Sequence, residues 1–409
     1  MELFIIGLKN LIRNKRRTIL NCSAISIGMM VLIIIIGWVR GYFIGFYQSI
    51  INFDTGHLQI LQKGYMDEER RMPLDISLIQ SDAVKAELLK QPWVETAAER
   101  IDFYLNLSKG WDQASLLCKA IEPEAEGKLT VIKKQIIQGD YLDKGPGILI
   151  SKTLAEKWDI KPGDSLRVSA QDKYQTPNIL DVVCRGIFYY GYPVLDKALV
   201  FMDLTTAREL LSMGDSATRI VVRLKPGYSV ERSLELTQKW LGPEKEAFHW
   251  QRFAQSVVSA VKADSETGYF MVALIYLFTI LGIINSMSMS INERTREIGT
   301  LRAIGMKGRT IVSMFLYEAI GMALISIVFA FLFVSPLAAY LQTVGFDMSQ
   351  FIPENLPIPF GQRFTAHFIW YDFAGAALSA VIISLIGSAI PARRISKITI
   401  SRAMGSSHI

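Results

Sequence analysis

The sequence predicts a membrane protein of mixed class, with four transmembrane helices and a large extracytoplasmic α+β domain between the first and second. Three observations carry this expectation. Half of the 409 residues are hydrophobic while 20% are charged, and the mean hydropathy is +0.27. Soluble chains rarely average out apolar, and a wholly embedded chain would not carry so much charge. Second, four long stretches carry no charge: Thr18–Val39, Thr267–Asn292, Ala319–Phe346 and Phe373–Ala392. Each has about 20 residues or more, enough to cross a hydrocarbon core of roughly 30 Å as a helix. Third, the basic residues are segregated along the chain. Disorder, a collagen-like fibre and a disulfide-rich scaffold are excluded by composition.

In chain order, residues 1–17 form a basic cytoplasmic segment and residues 18–46 the first span. A basic stretch before an apolar one also describes a signal peptide. Here the apolar run is long and Trp38-Val39-Arg40 offers no small-x-small cleavage site, so an uncleaved anchor is expected. Cys22 lacks the preceding small residue of a lipoprotein acceptor. Residues 47–266 form the large domain, with alternation predicting strands at His57–Gln62, Val94–Ser108, Ser115–Ile121, Ser165–Ser169, Asp181–Tyr190, Ala198–Met202 and Thr218–Leu224. Helical spacing marks Asp82–Lys90, Ser151–Trp158, Thr205–Met213, Ser229–Leu241 and Phe253–Ala263. Residues 267–292 form the second span, 293–310 a cytoplasmic loop, 311–346 the third span, 347–372 an external loop, 373–392 the fourth span and 393–409 a cytoplasmic tail.

Charge sets the orientation. The N-terminal segment carries Lys9, Arg13, Lys15, Arg16 and Arg17, the loop Arg294, Arg296, Arg302, Lys307 and Arg309, and the tail Arg393, Arg394, Lys397 and Arg402. Against these stand Glu2, Glu293 and Glu297. The positive-inside rule then places both termini in the cytoplasm and the large domain outside. The basic pI is a topology signal, and a nucleic-acid partner is not expected. Arg40 is expected to snorkel toward headgroups from the outer end of the first span. Glu318, about two turns into the third span, either pairs with a loop arginine or rests at the interface.

Catalysis finds little support. His57 and His249 lack metal-ligand spacing to another His or Cys, and no nucleophile elbow occurs. No metal site is expected. Cys118 and Cys184 sit in predicted strands, where a disulfide and two free packed thiols are both open.

The most informative stretch is Glu293-Arg-Thr-Arg-Glu-Ile-Gly-Thr-Leu-Arg-Ala-Ile-Gly-Met-Lys-Gly-Arg-Thr-Ile311. Helical spacing brings Ile298, Leu301 and Ile304 near one face, rimmed by arginines, and Gly305 and Gly308 permit a tight return. A short helix of this kind either docks in a protein groove or lies among headgroups. This run, followed by FLYEA, resembles the signature of the FtsX/MacB-like permeases of ABC transporters. The layout of one span, a large external domain and three further spans resembles that family too. NLIRNKRRTIL, DTGHLQI, GILISKTLAEKWDIKPGDSLRV and a strand pair around IFYYGYPVLDKALVFMDL are similar to its LolC/LolE lipoprotein-releasing branch.

The resemblance implies that the loop is a coupling helix for a separate cytoplasmic ATPase, contacting it through Glu297, Ile298, Leu301, Arg302, Ile304 and Gly305. The chain has no G-x-x-x-x-G-K-[ST] phosphate loop. ATP and Mg would therefore be bound by the partner, and this chain would not itself be an enzyme. Leu8–Arg17 would be an amphipathic elbow helix on the inner surface. The resemblance further implies mechanotransmission, a dimer with a second permease copy or a related sibling, and residence in the bacterial inner membrane with the domain in the periplasm. Lipoprotein acyl chains would reach the site sideways, past Ile36, Val39, Arg40, Tyr42, Phe43 and Phe46 of the first span and Phe270, Leu274 and Leu277 of the second. Tyr189, Tyr190, Tyr192 and Pro193 would form a docking tip for a periplasmic carrier or adaptor. MacB-type efflux and FtsX-type signalling to cell-wall hydrolases are the competing functions, and an adhesion receptor without an ATPase is the competing class.

Overall fold

The computed structural model describes residues 11, 15–142, 145–190, 193–347 and 363–395. The elbow segment (Leu11 and residues 15–17 apart), Tyr192, most of the external loop and most of the tail lie outside the described residues. Two compact units emerge, one formed by residues 1–45, 260–347 and 363–409, the other by residues 46–259 and 348–362.

The first unit contains four helices long and apolar enough to span a membrane. They belong to α1 (Lys15–Ile50), α8 (Gln255–Glu293), α10 (Gly308–Thr343) and α11 (Trp370–Ile395). Their common core gathers Ile25, Met29, Leu32 and Ile33 with Ile283, Met287, Phe315, Met322 and Ile383. Polar side chains stitch the helices together, as expected where lipid offers no alternative partner. Ser26 Oγ donates to the Ser326 carbonyl at 3.0 Å and Tyr276 Oη to Ser379 Oγ at 2.8 Å. Small residues let backbones approach. The Gly37 carbonyl accepts from the His367 amide at 2.8 Å, and a Cβ on Gly41 would collide with the Thr365 carbonyl and Ala366 Cα. Since the obstacle is backbone, Gly41→Ala is expected to lower the melting temperature of the detergent-purified chain by several degrees. An unchanged melt would show that the 365–368 segment yields freely.

The second unit is a mixed α/β domain. Its strands are β1 (Leu58–Gln62), β2 (Val94–Lys109), β3 (Asp112–Ile121), β4 (Ile136–Gly139), β5 (Gly147–Ser151), β6 (Ser165–Gln171), β7 (Pro177–Phe188), β8 (Leu199–Asp203), β9 (Arg219–Leu224) and β10 (Lys245–His249). The helices are α2 (Ser81–Leu89), α3 (Pro123–Leu129), α4 (Lys152–Trp158), α5 (Pro193–Ala198), α6 (Leu204–Leu210) and α7 (Val230–Leu241). Strands pair in the order β10-β1-β9-β2-β3-β8-β5-β7-β4, and β6 joins β7 back to β2. Six strands, β2-β3-β8-β5-β7-β6, thus close a ring. Its interior holds Ile101, Phe103, Leu105, Cys118, Ile150, Val168, Val182 and Val200, with α4 and α6 contributing Leu154, Trp158, Ala207 and Leu210. A second core lies where α2 and α7 cover β1 and β9, through Leu88, Leu241, Ile60 and Val222. Ser151, Asp203 and Ser229 cap α4, α6 and α7, each side chain accepting a backbone N–H three residues on.

The seven predicted strands and the helices α2, α4, α6 and α7 are found within a few residues of their expected ends. The Phe253–Ala263 helix is the start of the much longer α8. One pairing is corrected. The strands flanking Tyr189–Leu195 were expected to pair with each other, but β5 lies between β7 and β8, parallel to the first and antiparallel to the second. A helix, α5, fills that connection, and a helical crossover releases the two strands from hairpin neighbourhood. β5 itself carried no alternation signal because all five of its residues are buried. Cys118 and Cys184 are free thiols in the ring's core, and burial pushes the Cys184 thiol up to about 11.

Candidate functional site

Two places gather buried charged side chains, one in each unit. The first is the turn between α8 and α10. Helix α8 ends at Glu293, Arg294 breaks the helical path at φ −102°, and a short helix α9 (Thr295–Ala303) follows. Gly305, at φ 100°, takes a conformation that a side chain rarely adopts. Lys307 then opens α10.

Arg294 fixes this turn. Its guanidinium is buried and Nη1 donates to Glu318 Oε2 at 3.3 Å, Glu318 being 1% exposed. The expected partnership of Glu318 with a loop arginine is thereby found, and Arg294 is that arginine. A buried, directed ion pair of this kind fixes geometry more than it adds stability. Ile298 is packed into the helical core beside it, and the Ile298 amide donates to the Arg294 carbonyl at 3.0 Å.

The expected apolar stripe divides. Ile298 points into its own unit, whereas Ile304 is 80% exposed: six residues on, it lies about 120° around the helix from Ile298. Leu301 and Arg302 are half-buried, and Glu297 and Gly305 are exposed. The outward surface is formed by Arg296, Glu297, Thr300, Ala303, Ile304 and Gly305, an exposed aliphatic side chain ringed by charge. Ile298 belongs to the fold and cannot reach a partner from where it lies.

On the same unit, Val39 lies against Gly268, and Thr279 against Gly28, so α1 and α8 are neighbours along their length. Phe270 and Leu277 are exposed, Ile36 packs partly into the helical core, and Leu274 is half-buried. Tyr42 and Phe43 meet edge to face at 5.6 Å. Arg40 departs from the snorkelling expectation: both guanidinium nitrogens bind the Asp372 carboxylate, Nη2 to Oδ1 at 2.8 Å. A bidentate partner at the head of α11 was available, so the charge does not need headgroups.

The second place lies in the large domain, where residues 51–55 make a π-helical turn before β1. Phe46 is half-buried in this unit. Arg100, in the middle of β2, is 2% exposed and binds Glu126 bidentately, at 2.6 and 2.9 Å. It also donates to the Asp54 carbonyl at 2.6 Å, and Lys119 pairs with the Asp54 carboxylate. Asn52 accepts from Arg223. Burial opposes charge on Arg100, but Glu126 and Asp54 outweigh it and raise its pKa. Gly56 follows at φ 59°, where a Cβ would strike Val221. This network was not foreseen. Arg100 stands between Glu99 and Asp102 in β2, so its charge did not single it out in the sequence.

His57 adjoins this turn. Burial first, then Arg223 and His249, push its pKa down to about 4, and its neutral Nδ1 accepts from the Leu224 amide at 3.3 Å. The unfolded chain, with a histidine pKa near 6.5, binds more protons below that pH. His57 therefore removes stability as pH falls from about 6.5 to about 4. The ring is part exposed, so an effect on the order of 1–2 kcal/mol is expected. Thermal melts of the wild-type chain and H57Q across this window should converge as pH falls; parallel curves would contradict it.

Tyr190 does not offer its ring to a carrier. It is buried, with centroids 5.2 Å from both Phe53 and Phe188, whereas Tyr189 is half-buried with Lys152 over its ring at 5.1 Å. Pro193 begins α5. Among the described residues, no group of three His, Cys, Asp or Glu side chains is placed to hold a metal ion.

Known proteins match both units. Residues 18–238 match the MacB-like periplasmic core domain family and residues 269–400 the FtsX-like permease C-terminal family. The lipoprotein-releasing system transmembrane protein LolE of Haemophilus influenzae is 20% identical over 79% of this chain and 80% of its own length. LolC of Xylella fastidiosa (strain Temecula1) is 21% identical over 56% of this chain, a match spanning about half of that relative's length (55%). The periplasmic region of MacB from Actinobacillus actinomycetemcomitans superposes with a TM-score of 0.37 at 14% identity, covering 51% of this chain and 95% of that one. With four candidate membrane helices, a MacB-like periplasmic α/β domain and an FtsX-like C-terminal half, the chain belongs to the FtsX/MacB/LolC family of ABC transporter permeases.

Proposed function

We propose that the chain is the membrane subunit of a transporter that draws lipoproteins from the outer leaflet of the cytoplasmic membrane for delivery to the outer membrane. ATP and Mg are bound by a separate cytoplasmic ATPase, which seats α9 in its groove. Both termini and α9 face the cytoplasm, and the chain works as a dimer with a second copy or a sibling. Acyl chains approach between the first and second spans, where Phe270 and Leu277 are exposed, and a periplasmic carrier takes the product. Closure of the ATPase pushes on α9, and Arg294–Glu318 passes the force to the third span.

The observation that carries the transporter part is α9 itself, a short helix tied back to the bundle by a buried ion pair while Ile304 stands clear. An adhesion receptor would not need it. The lipoprotein part is supported by the likeness to LolE along four-fifths of both chains. Export of the MacB kind is the second reading, favoured by the match of more than half the chain to the MacB-like periplasmic core.

The deciding test is reconstitution of the chain with its co-purifying ATPase in proteoliposomes loaded with a triacylated lipoprotein. ATP-dependent appearance of the lipoprotein in the soluble fraction, with added carrier, is expected. ATP turnover without release would move the assignment to export, and no co-purifying ATPase would defeat the permease mechanism.

A further inference from the structure

We propose that the groove between α1 and α10 holds one acyl chain of an anionic phospholipid, whose headgroup is met by Lys15 and Arg16. The two helices run side by side and parallel. Cys22 Sγ donates to the Met322 carbonyl at 3.6 Å and Ser26 Oγ to the Ser326 carbonyl at 3.0 Å, so residue numbers rise together along both. These bonds form the floor of the seam. Above them a groove of about 280 Å³ lies open, walled by Ile19, Ile27 and Met30 of α1 and by Ile325, Phe329 and Phe333 of α10.

The lining decides the chemistry of the occupant. Among the described residues, no charged side chain lines the groove. Its polar side chains are turned to backbone: besides the two above, Thr18 Oγ1 donates to the Leu11 carbonyl and Ser23 Oγ to the Leu20 carbonyl, both at 2.9 Å. A bound water needs two or more polar partners. Here the hydroxyl protons are already committed, so the groove takes hydrocarbon. Ile19, Ile27, Phe329 and Phe333 are each at least half exposed. They lie in helices long and apolar enough to cross a membrane, where the surrounding medium is itself alkyl chain.

Length and charge identify the lipid. Residues 19–30 rise by about 16 Å and residues 325–333 by about 12 Å, close to one leaflet of a hydrocarbon core of roughly 30 Å. Lys15 and Arg16 stand four and three residues before Ile19, on the same face one turn lower, and both are exposed. Thr18, where the apolar span begins, lies between these charges and the groove. A basic pair at the mouth of a leaflet-long apolar groove matches an anionic headgroup joined to an acyl chain. The inference rests on α1 crossing the membrane and is independent of the cargo proposed above.

The test uses the full chain in mild detergent with phosphatidylglycerol carrying a photoactivatable diazirine midway along one acyl chain, and phosphatidylcholine with the same chains. Crosslinks are expected in residues 19–30 and 325–333. The anionic lipid should bind at least roughly tenfold more tightly, since each basic side chain near an anionic headgroup contributes about fivefold. K15Q/R16Q should remove that preference. I27W, which fills the groove from a lipid-facing position, should melt as the wild type does and lose the crosslinks; the comparison of the two lipids needs no variant. Equal binding of both lipids, or crosslinks spread evenly onto the exposed Leu378 and Ile382 of α11, would overturn the proposal. So would labelling that leaves both walls untouched, the result expected if a second copy covers them.

Discussion

Replacing Ile304 with glutamate is expected to weaken the chain's hold on the proposed ATPase partner by at least roughly 30-fold, the effect of losing a central interface anchor of about 2 kcal/mol. Ile304 is 80% exposed at the end of α9, so the chain should fold and melt as the wild type does. A carboxylate carried into an apolar groove would lose hydration without gaining a partner. Ile298→Glu provides the contrast. Ile298 is 3% exposed within the helical core, and a charge there should destabilise the unit itself, so loss of ATPase binding and loss of folding should travel together. Co-purification of tagged variants with the ATPase, alongside melting curves, separates the two. Wild-type ATPase binding by I304E would remove α9 from the interface.

The second large effect concerns Arg100. Arg100→Met leaves Glu126, 1% exposed, without its bidentate partner. Removing one member of a buried ion pair typically costs about 3–5 kcal/mol, because the remaining charge is stranded. Thr130 Oγ1 donates to Glu126 Oε1 at 2.9 Å, a single neutral bond that does not replace a guanidinium. A melting-temperature loss of about 10 °C is expected for a domain of this size. The double variant R100M/E126L should recover most of it, since two apolar groups need no partners. If R100M alone melted within a degree or two of the wild type, the network would be water-filled and not structural.

How much of this was legible beforehand depended on whether the signal was local. The membrane helices announce themselves by length and lack of charge, since hydrocarbon tolerates little else. Strand β6 was visible because alternate residues face core and surface, as they also do along the last part of β2. β5 was not, because both its faces are covered and alternation vanishes. The α9 loop was legible as a short amphipathic helix, yet its outward residues were not all assigned. Ile298 and Ile304 are six apart, which puts them about 120° from each other around the helix, and only the packing decides which of the two faces is covered. Glu318 was recognisable as a charge about two turns into a span, with a loop arginine or the interface as alternatives; packing decided for Arg294.

Composition and periodicity alone establish the class of the molecule: its four membrane helices, the inserted α/β domain and the position of α9. These depend on transfer of whole segments from water, which each segment's own residues decide. The closed ring, the place of β5 between β7 and β8, the Arg40–Asp372 and Arg294–Glu318 pairs, and the Asp54–Arg100–Glu126 network are decided by the fold. Each joins residues far apart in the chain, and a charge becomes a rivet or a solvated side chain only when its surroundings are assembled.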